Sequence, residues 1–190
     1  MSFLLVTTLV ALVSAPALSV DRGDACTKAI PQKIVAQLRA DYPQFRPVRA
    51  SDYSQDSLAY PQAHGIQCPG IARSDVDGNG LADVALFITS NNGHTLLVVA
   101  RQFKSHNWRT STLYDFGTEG VSRSYVEPFK AGSYTDLFTS NMAPSEYEPE
   151  PGRVKHYRSQ LPGFMAGTIE STGAAFFFTG KKWVHLWLSD

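Results

Sequence analysis

The stretch Asp75-Val76-Asp77-Gly78-Asn79-Gly80-Leu81-Ala82-Asp83-Val84-Ala85-Leu86-Phe87-Ile88-Thr89 holds two patterns back to back. Its first half places oxygen-bearing side chains at positions 1, 3, 5 and 9, with glycine at position 6. Its second half, from Val84 to Thr89, is an apolar, β-rich run that reads as a strand. Ser90-Asn91-Asn92-Gly93 follows and reads as a hairpin turn, with Thr95–Gln102 as the returning strand. Loop, strand, turn and strand in immediate succession set the class: a β-rich chain with antiparallel neighbours.

Working outward, Trp108–Tyr114 alternates polar and apolar residues. Ser124–Phe129 reads as another strand, placed at a sheet edge by Pro128, which cannot donate to a ladder. Val154–Ser159 resumes the strand pattern, and Phe164–Glu170, Ala174–Thr179 and Lys182–Leu188 read as a closing meander, its final turn made by Thr179-Gly180-Lys181. Pro31 to Asp41 is the one clear helix. Proline suits a first helical position. Ile34, Leu38 and Tyr42 then form an apolar stripe with Val35 beside it, and Pro43 disfavours helix at Tyr42. Pro43 to Pro69 is loop-rich. The expected fold class is α+β, mostly antiparallel β, with one N-terminal helix packed on a meander-type sheet of about eight strands.

Phe3 to Val13 is apolar except for Thr7 and Thr8. It is shorter than the roughly 20 residues a membrane-spanning helix needs. Ala15-Pro16-Ala17 offers a small-x-small cleavage pattern, with Ala17-Leu18-Ser19 as a second choice, although no Lys or Arg precedes the apolar run. Residues 1–19 are therefore expected to be a removable export signal and residues 20–190 a single β-rich domain. The alternatives are a buried N-terminal element or a retained anchor. Export implies a periplasmic or secreted protein, in which Cys26 and Cys68 are expected to pair, two free buried thiols being the alternative. The 17 basic residues balance the 17 acidic ones. That excludes the basic surplus a nucleic-acid binder uses to neutralise phosphates, and no block of like charge marks a membrane-binding face. No second apolar stretch approaches spanning length.

The acidic loop is the motif that carries chemistry. Calcium takes six to eight hard oxygen ligands, and alternate residues of a tight loop can aim Asp75, Asp77 and Asn79 at one point. Gly80 allows the sharp turn. The Leu81 carbonyl and Asp83 would complete the ligand set. The alternative is a metal-free, Asx-rich turn between two strands. An EF-hand would carry a glutamate at position 12, where this chain has Leu86 inside an apolar run, so it is not one. The loop instead resembles the calcium loops of FG-GAP and VCBS-type repeats, D-x-D-G-N-G-x-x-D between two strands, with Gly70-Ile71-Ala72 upstream and Asp83-Val84-Ala85-Leu86 downstream. The resemblance is confined to residues 70–88 and occurs once, whereas such repeats build a propeller for which this chain is too short. It implies a strand–calcium-loop–strand unit, with calcium as the cofactor in a structural role, in an extracellular interaction domain.

Other chemistry is thinly marked. No G-x-S-x-G nucleophile elbow is present. His64, His94, His106, His156 and His185 are scattered, and Glu127 and Glu170 lie on expected strands with nothing to mark them as catalytic. Ala143–Gly152 reads as an exposed acidic loop whose Glu146, Glu148 and Glu150 could enter a basic cleft on a partner. Trp183, His185 and Trp187 alternate with Val184, Leu186 and Leu188. Either the tryptophans form an exposed stripe that anchors a partner, or both faces are buried, one of them under the helix. The expected function is an exported, calcium-stabilised binding module, of the periplasmic-inhibitor or immunity type in general likeness, with a protein or glycan of the cell envelope as partner. The alternative is a hydrolase of a cell-envelope polymer, which would gather facing carboxylates, or histidine and a nucleophile, in one cleft.

Overall fold

Val84 to Ile88 is buried residue by residue, so the strand they form must be covered on both sides. The computed structural model describes residues 23–63, 66–105, 107–118, 120–138, 150–171 and 173–188 and shows how. The expected export segment, His64, His106, Glu146 and Glu148 lie outside those residues. Among them the chain forms helices α1 (Ala25–Lys28), α2 (Gln32–Asp41) and α3 (Gln55–Ala63), with strand β1 (Phe45–Pro47) between α2 and α3. Ten strands follow: β2 (Ile71–Ser74), β3 (Asp83–Ser90), β4 (Thr95–Gln102), β5 (Trp108–Gly117), β6 (Ser124–Phe129), β7 (Gly132–Thr135), β8 (His156–Ser159), β9 (Gly163–Thr168), β10 (Gly173–Phe178) and β11 (Trp183–Leu188).

The strands make three antiparallel sheets. The first runs β1-β3-β4-β5, and β2 also pairs with β3, along the half of it that β1 leaves free. The second runs β11-β10-β9-β6, and the third is the hairpin β7-β8. The two larger sheets enclose one core, with Ala85, Phe87, Leu97 and Val99 from the first and Val126, Phe164, Ala166 and Phe176 from the second. The alternate residues Val84, Leu86, Ile88, Val98 and Ala100 face the other way and pack under Ile34, Val35 and Leu38 of α2. On the far side of the second sheet, Met165, Ala175, Phe177, Val184 and Leu186 form a third cluster against Tyr134 and Tyr157 of β7 and β8. The order through the molecule is helix, sheet, sheet, hairpin.

The mostly antiparallel, β-rich class matches the sequence expectation, and so does the stripe that seats α2. The single meander of about eight strands does not form. After β5 the chain leaves the first sheet, and β6 pairs with β9 across a long stretch of sequence, so the second sheet closes separately. One helix was expected, and the described residues hold three α-helices. α1 has only four residues, capped by the Asp24 carboxylate on Thr27 N–H at 3.0 Å, and α3 contains Pro61, a local breaker signal.

Cys26 and Cys68 form a disulfide, Cα to Cα 4.9 Å, inside the inter-sheet core. Cys68 opens a short connector on which both sheets depend. Pro69 C=O accepts Val126 N–H of β6 at 2.8 Å, and Gly70 C=O accepts Phe87 N–H of β3 at 3.0 Å. No helix among the described residues is long and apolar enough to cross a membrane.

Candidate metal centre

The loop from Asp75 to Ala82 is the connection between β2 and β3. Ser74 and Asp83 are partners in the ladder, so the two ends of the loop meet by construction. Val76 is fully buried in the inter-sheet core and pins the loop to it. Gly78 and Gly80 both have positive φ, 71° and 83°, a conformation that costs glycine little and other residues more. These constraints bring one carboxylate oxygen each from Asp75, Asp77 and Asp83 to within 4.8 Å of one another. Asp83 is fully buried and the other two are partly buried. A cluster of this kind could hold a metal ion.

Backbone N–H groups orient the carboxylates. Asn79 N–H lies 3.1 Å from Asp75 Oδ1 and 3.2 Å from Asp77 Oδ1, and Gly80 N–H donates to Asp75 Oδ2 at 2.8 Å. Asp83 accepts from Val76 N–H at 3.1 Å and from Gln102 N–H at 2.8 Å. Asn79 accepts Leu81 N–H on Oδ1 and donates Nδ2 to Gln102 C=O, each at 2.8 Å. The end of β4 thus closes the loop from the side. Of the five expected ligands, the three carboxylates converge, while Asn79 and Leu81 are tied to them through these hydrogen bonds. Arg101 and Gln102 were not read as part of the site. The turn at Ser90–Gly93 could have shown them, because the register that pairs Val84 with Ala100 carries Asp83 towards Arg101.

Burial pushes the Asp83 carboxyl up to about 6. The two backbone donors oppose the shift, and the charges of Asp77 and Asp75 add to it. Because the folded value lies above the ordinary 3.8, the stability this group contributes is present below that ordinary value and is lost as pH rises through about 6. In chelator, the wild type is expected to lose about 3 kcal/mol more stability than Asp83→Asn between acid and neutral pH. Urea unfolding of both proteins at several pH values measures it. A bound divalent cation would hold Asp83 ionised and remove this loss.

The other expected sites fare differently. Both faces of β11 are covered. Trp183 and Trp187 are half-buried against the inter-sheet core, and Val184 and Leu186 lie beneath the β7-β8 hairpin. One face of β11 thus lies under the hairpin and the other is half-covered by the inter-sheet core, and neither lies under the helix. Glu150 faces inward too, accepting His185 Nε2 at 3.1 Å and Trp187 Nε1 at 3.4 Å. Burial keeps His185 below its usual range against the pull of Glu150. Glu127 is exposed, Glu170 is exposed and pairs with Arg123 at 3.0 Å, and the exposed His156 bonds Thr135. Beside the acidic loop, a groove of about 360 Å³ is lined by Asp77, Tyr157, Arg158, Gln160, Leu161 and Phe178, among others. Comparison with known protein families, curated proteins and solved structures gives no match.

Proposed function

We propose that this chain is an exported, calcium-stabilised binding module for a protein or glycan of the cell envelope, of the periplasmic-inhibitor or immunity type. The observation that carries the calcium reading is the convergence of Asp75, Asp77 and Asp83 at the joint of two strands. The donors are hard oxygens, with no sulfur or imidazole among them, which suits calcium better than zinc or copper. The Asn79 amide and the Leu81 carbonyl would complete the set. Export is supported by the apolar N-terminal run and by the disulfide.

Binding is favoured over hydrolysis by the separate settings of the candidate acids and bases. Glu170, His156 and His185 each have a different partner, and of these three and Glu127 only His185 is buried. The groove beside the loop is open rather than a deep cleft and mixes aromatic, amide and charged side chains, which a protein or glycan surface could meet.

Thermal and urea unfolding with calcium and with chelator tests the first half of the proposal. At a hundredfold excess over Kd, calcium is expected to stabilise the wild type by about 2.7 kcal/mol and to leave Asp77→Ala unchanged. An equal response of the two proteins, or none in either, would remove calcium from the reading. Incubation with purified peptidoglycan tests the second half, since release of soluble fragments would establish the hydrolase instead.

A further inference from the structure

We infer that Arg101 is a built-in counter-cation of the acidic loop, and that it sets how tightly, and with what preference for ionic charge, the site takes a metal. The inference rests on the metal reading above and concerns its regulation. Arg101 Nη1 lies 3.8 Å from Asp77 Oδ2, and the two side chains are only 16% and 15% exposed. That distance is too long for a hydrogen bond but short enough for a strong Coulombic interaction in a partly buried site. A bidentate pair would take Asp77 out of the ligand set. This spacing leaves Oδ2 without a hydrogen bond from the guanidinium, while Oδ1 accepts Asn79 N–H, and the charge of the carboxylate is partly offset.

The guanidinium is held in place by other groups. It lies over the Phe178 ring at 3.9 Å and near Phe103 at 5.4 Å, contacts that favour a fixed cation. Its Nε is buried with no hydrogen-bond partner among the described residues. Directly across the ladder is Arg109, which approaches Phe103 from its own side at 5.3 Å. Like charges placed opposite each other on a sheet oppose pairing, and the neighbouring carboxylates offset that cost. Three carboxylates beside one guanidinium leave two net negative charges, the complement of a divalent ion. Without Arg101 the balance shifts towards a trivalent one.

Calorimetric titration of metal-stripped wild type, Arg101→Met, Arg101→Gln and Arg101→Lys with calcium and with lanthanum tests this. The two neutral variants should bind calcium on the order of tenfold more tightly than the wild type. They should gain a larger factor for lanthanum, because repulsion from a fixed charge grows with the charge of the ion. Arg101→Lys should stay close to the wild type. Using two neutral variants protects against one of them failing to fold, which circular dichroism reports. Unchanged calcium affinity in the neutral variants, or equal factors for the two ions, overturns the role of Arg101 while leaving the metal site standing. Absence of binding in the wild type and every variant overturns the metal reading, and this inference with it.

Discussion

Asp136→Ala is expected to destabilise the protein by about 3–5 kcal/mol, the usual cost of leaving one half of a buried ion pair behind. Asp136 is fully buried, and Arg153, only 7% exposed, grips it through Nε and Nη2, both at 3.0 Å. Asp136 also accepts the N–H groups of Trp187 at 3.1 Å and Phe138 at 3.0 Å. Burial alone would raise this carboxyl, but the Arg153 contacts and the backbone donors outweigh it and hold it below its usual value. The stability it contributes is therefore present above its ordinary pKa and fades as pH falls through the depressed one.

The pair also fixes local structure. Leu137 N–H donates to Trp187 C=O at 2.8 Å, and Val154 N–H and His185 N–H make 3.0 Å bonds along the outer edge of β11. Two flanking segments thus close an edge that would otherwise be open to association. Urea unfolding gives the size of the loss. Asp136→Leu combined with Arg153→Met should recover much of it, because removing both charges leaves no unpaired ion.

Replacing both cysteines by alanine is expected to cost about 4 kcal/mol in the chain-entropy account of a 42-residue separation. The bond does more than shorten the unfolded chain. Cys68 stands one residue before the Pro69 carbonyl that receives β6 and two before the Gly70 carbonyl that receives β3, so the staple holds the connector where the two sheets meet. Chemical denaturation of the wild type, oxidised and reduced, against Cys26→Ala/Cys68→Ala measures the effect. The reduced wild type should match the double variant, and a difference below about 1 kcal/mol would contradict the account.

What the sequence made legible was local. The metal-type loop could be read because its ligands lie within nine positions and its glycines mark the turn. β3 and β4 were legible because a run such as Val84-Ala85-Leu86-Phe87-Ile88 has few other uses, and the Ser90–Gly93 turn sets their register. The edge position of β6 followed from Pro128. The division into two stacked sheets was not legible, since it depends on Ser124 meeting Thr168 across a separation that no local pattern encodes. The hairpin β7-β8 was missed in part because Gly132-Ser133-Tyr134-Thr135 has a single large apolar side chain, whose worth shows only when it stacks on Phe177, ring centres 5.5 Å apart. In β11 the alternation of Trp183, His185 and Trp187 revealed two faces but not what covers each. For Arg101, the residue type was visible while its neighbours belonged to strands far away in sequence.

The roofing of both sheets, by α2 on one side and the β7-β8 hairpin on the other, separates two kinds of evolutionary freedom. Residues that hold the layers together are almost all enclosed, and Ile66 is the one large apolar side chain classed as exposed among the described residues. If the chain is the binding module proposed above, recognition would fall to the rim, where Arg158–Leu161 and Thr179–Gly180 border the groove. Rim positions can vary without reopening the layers beneath, because exposed substitutions away from structural features seldom move stability by more than about 0.5 kcal/mol. The same body could then be re-aimed at successive partners by changing a few turn residues, as a handle accepts different blades.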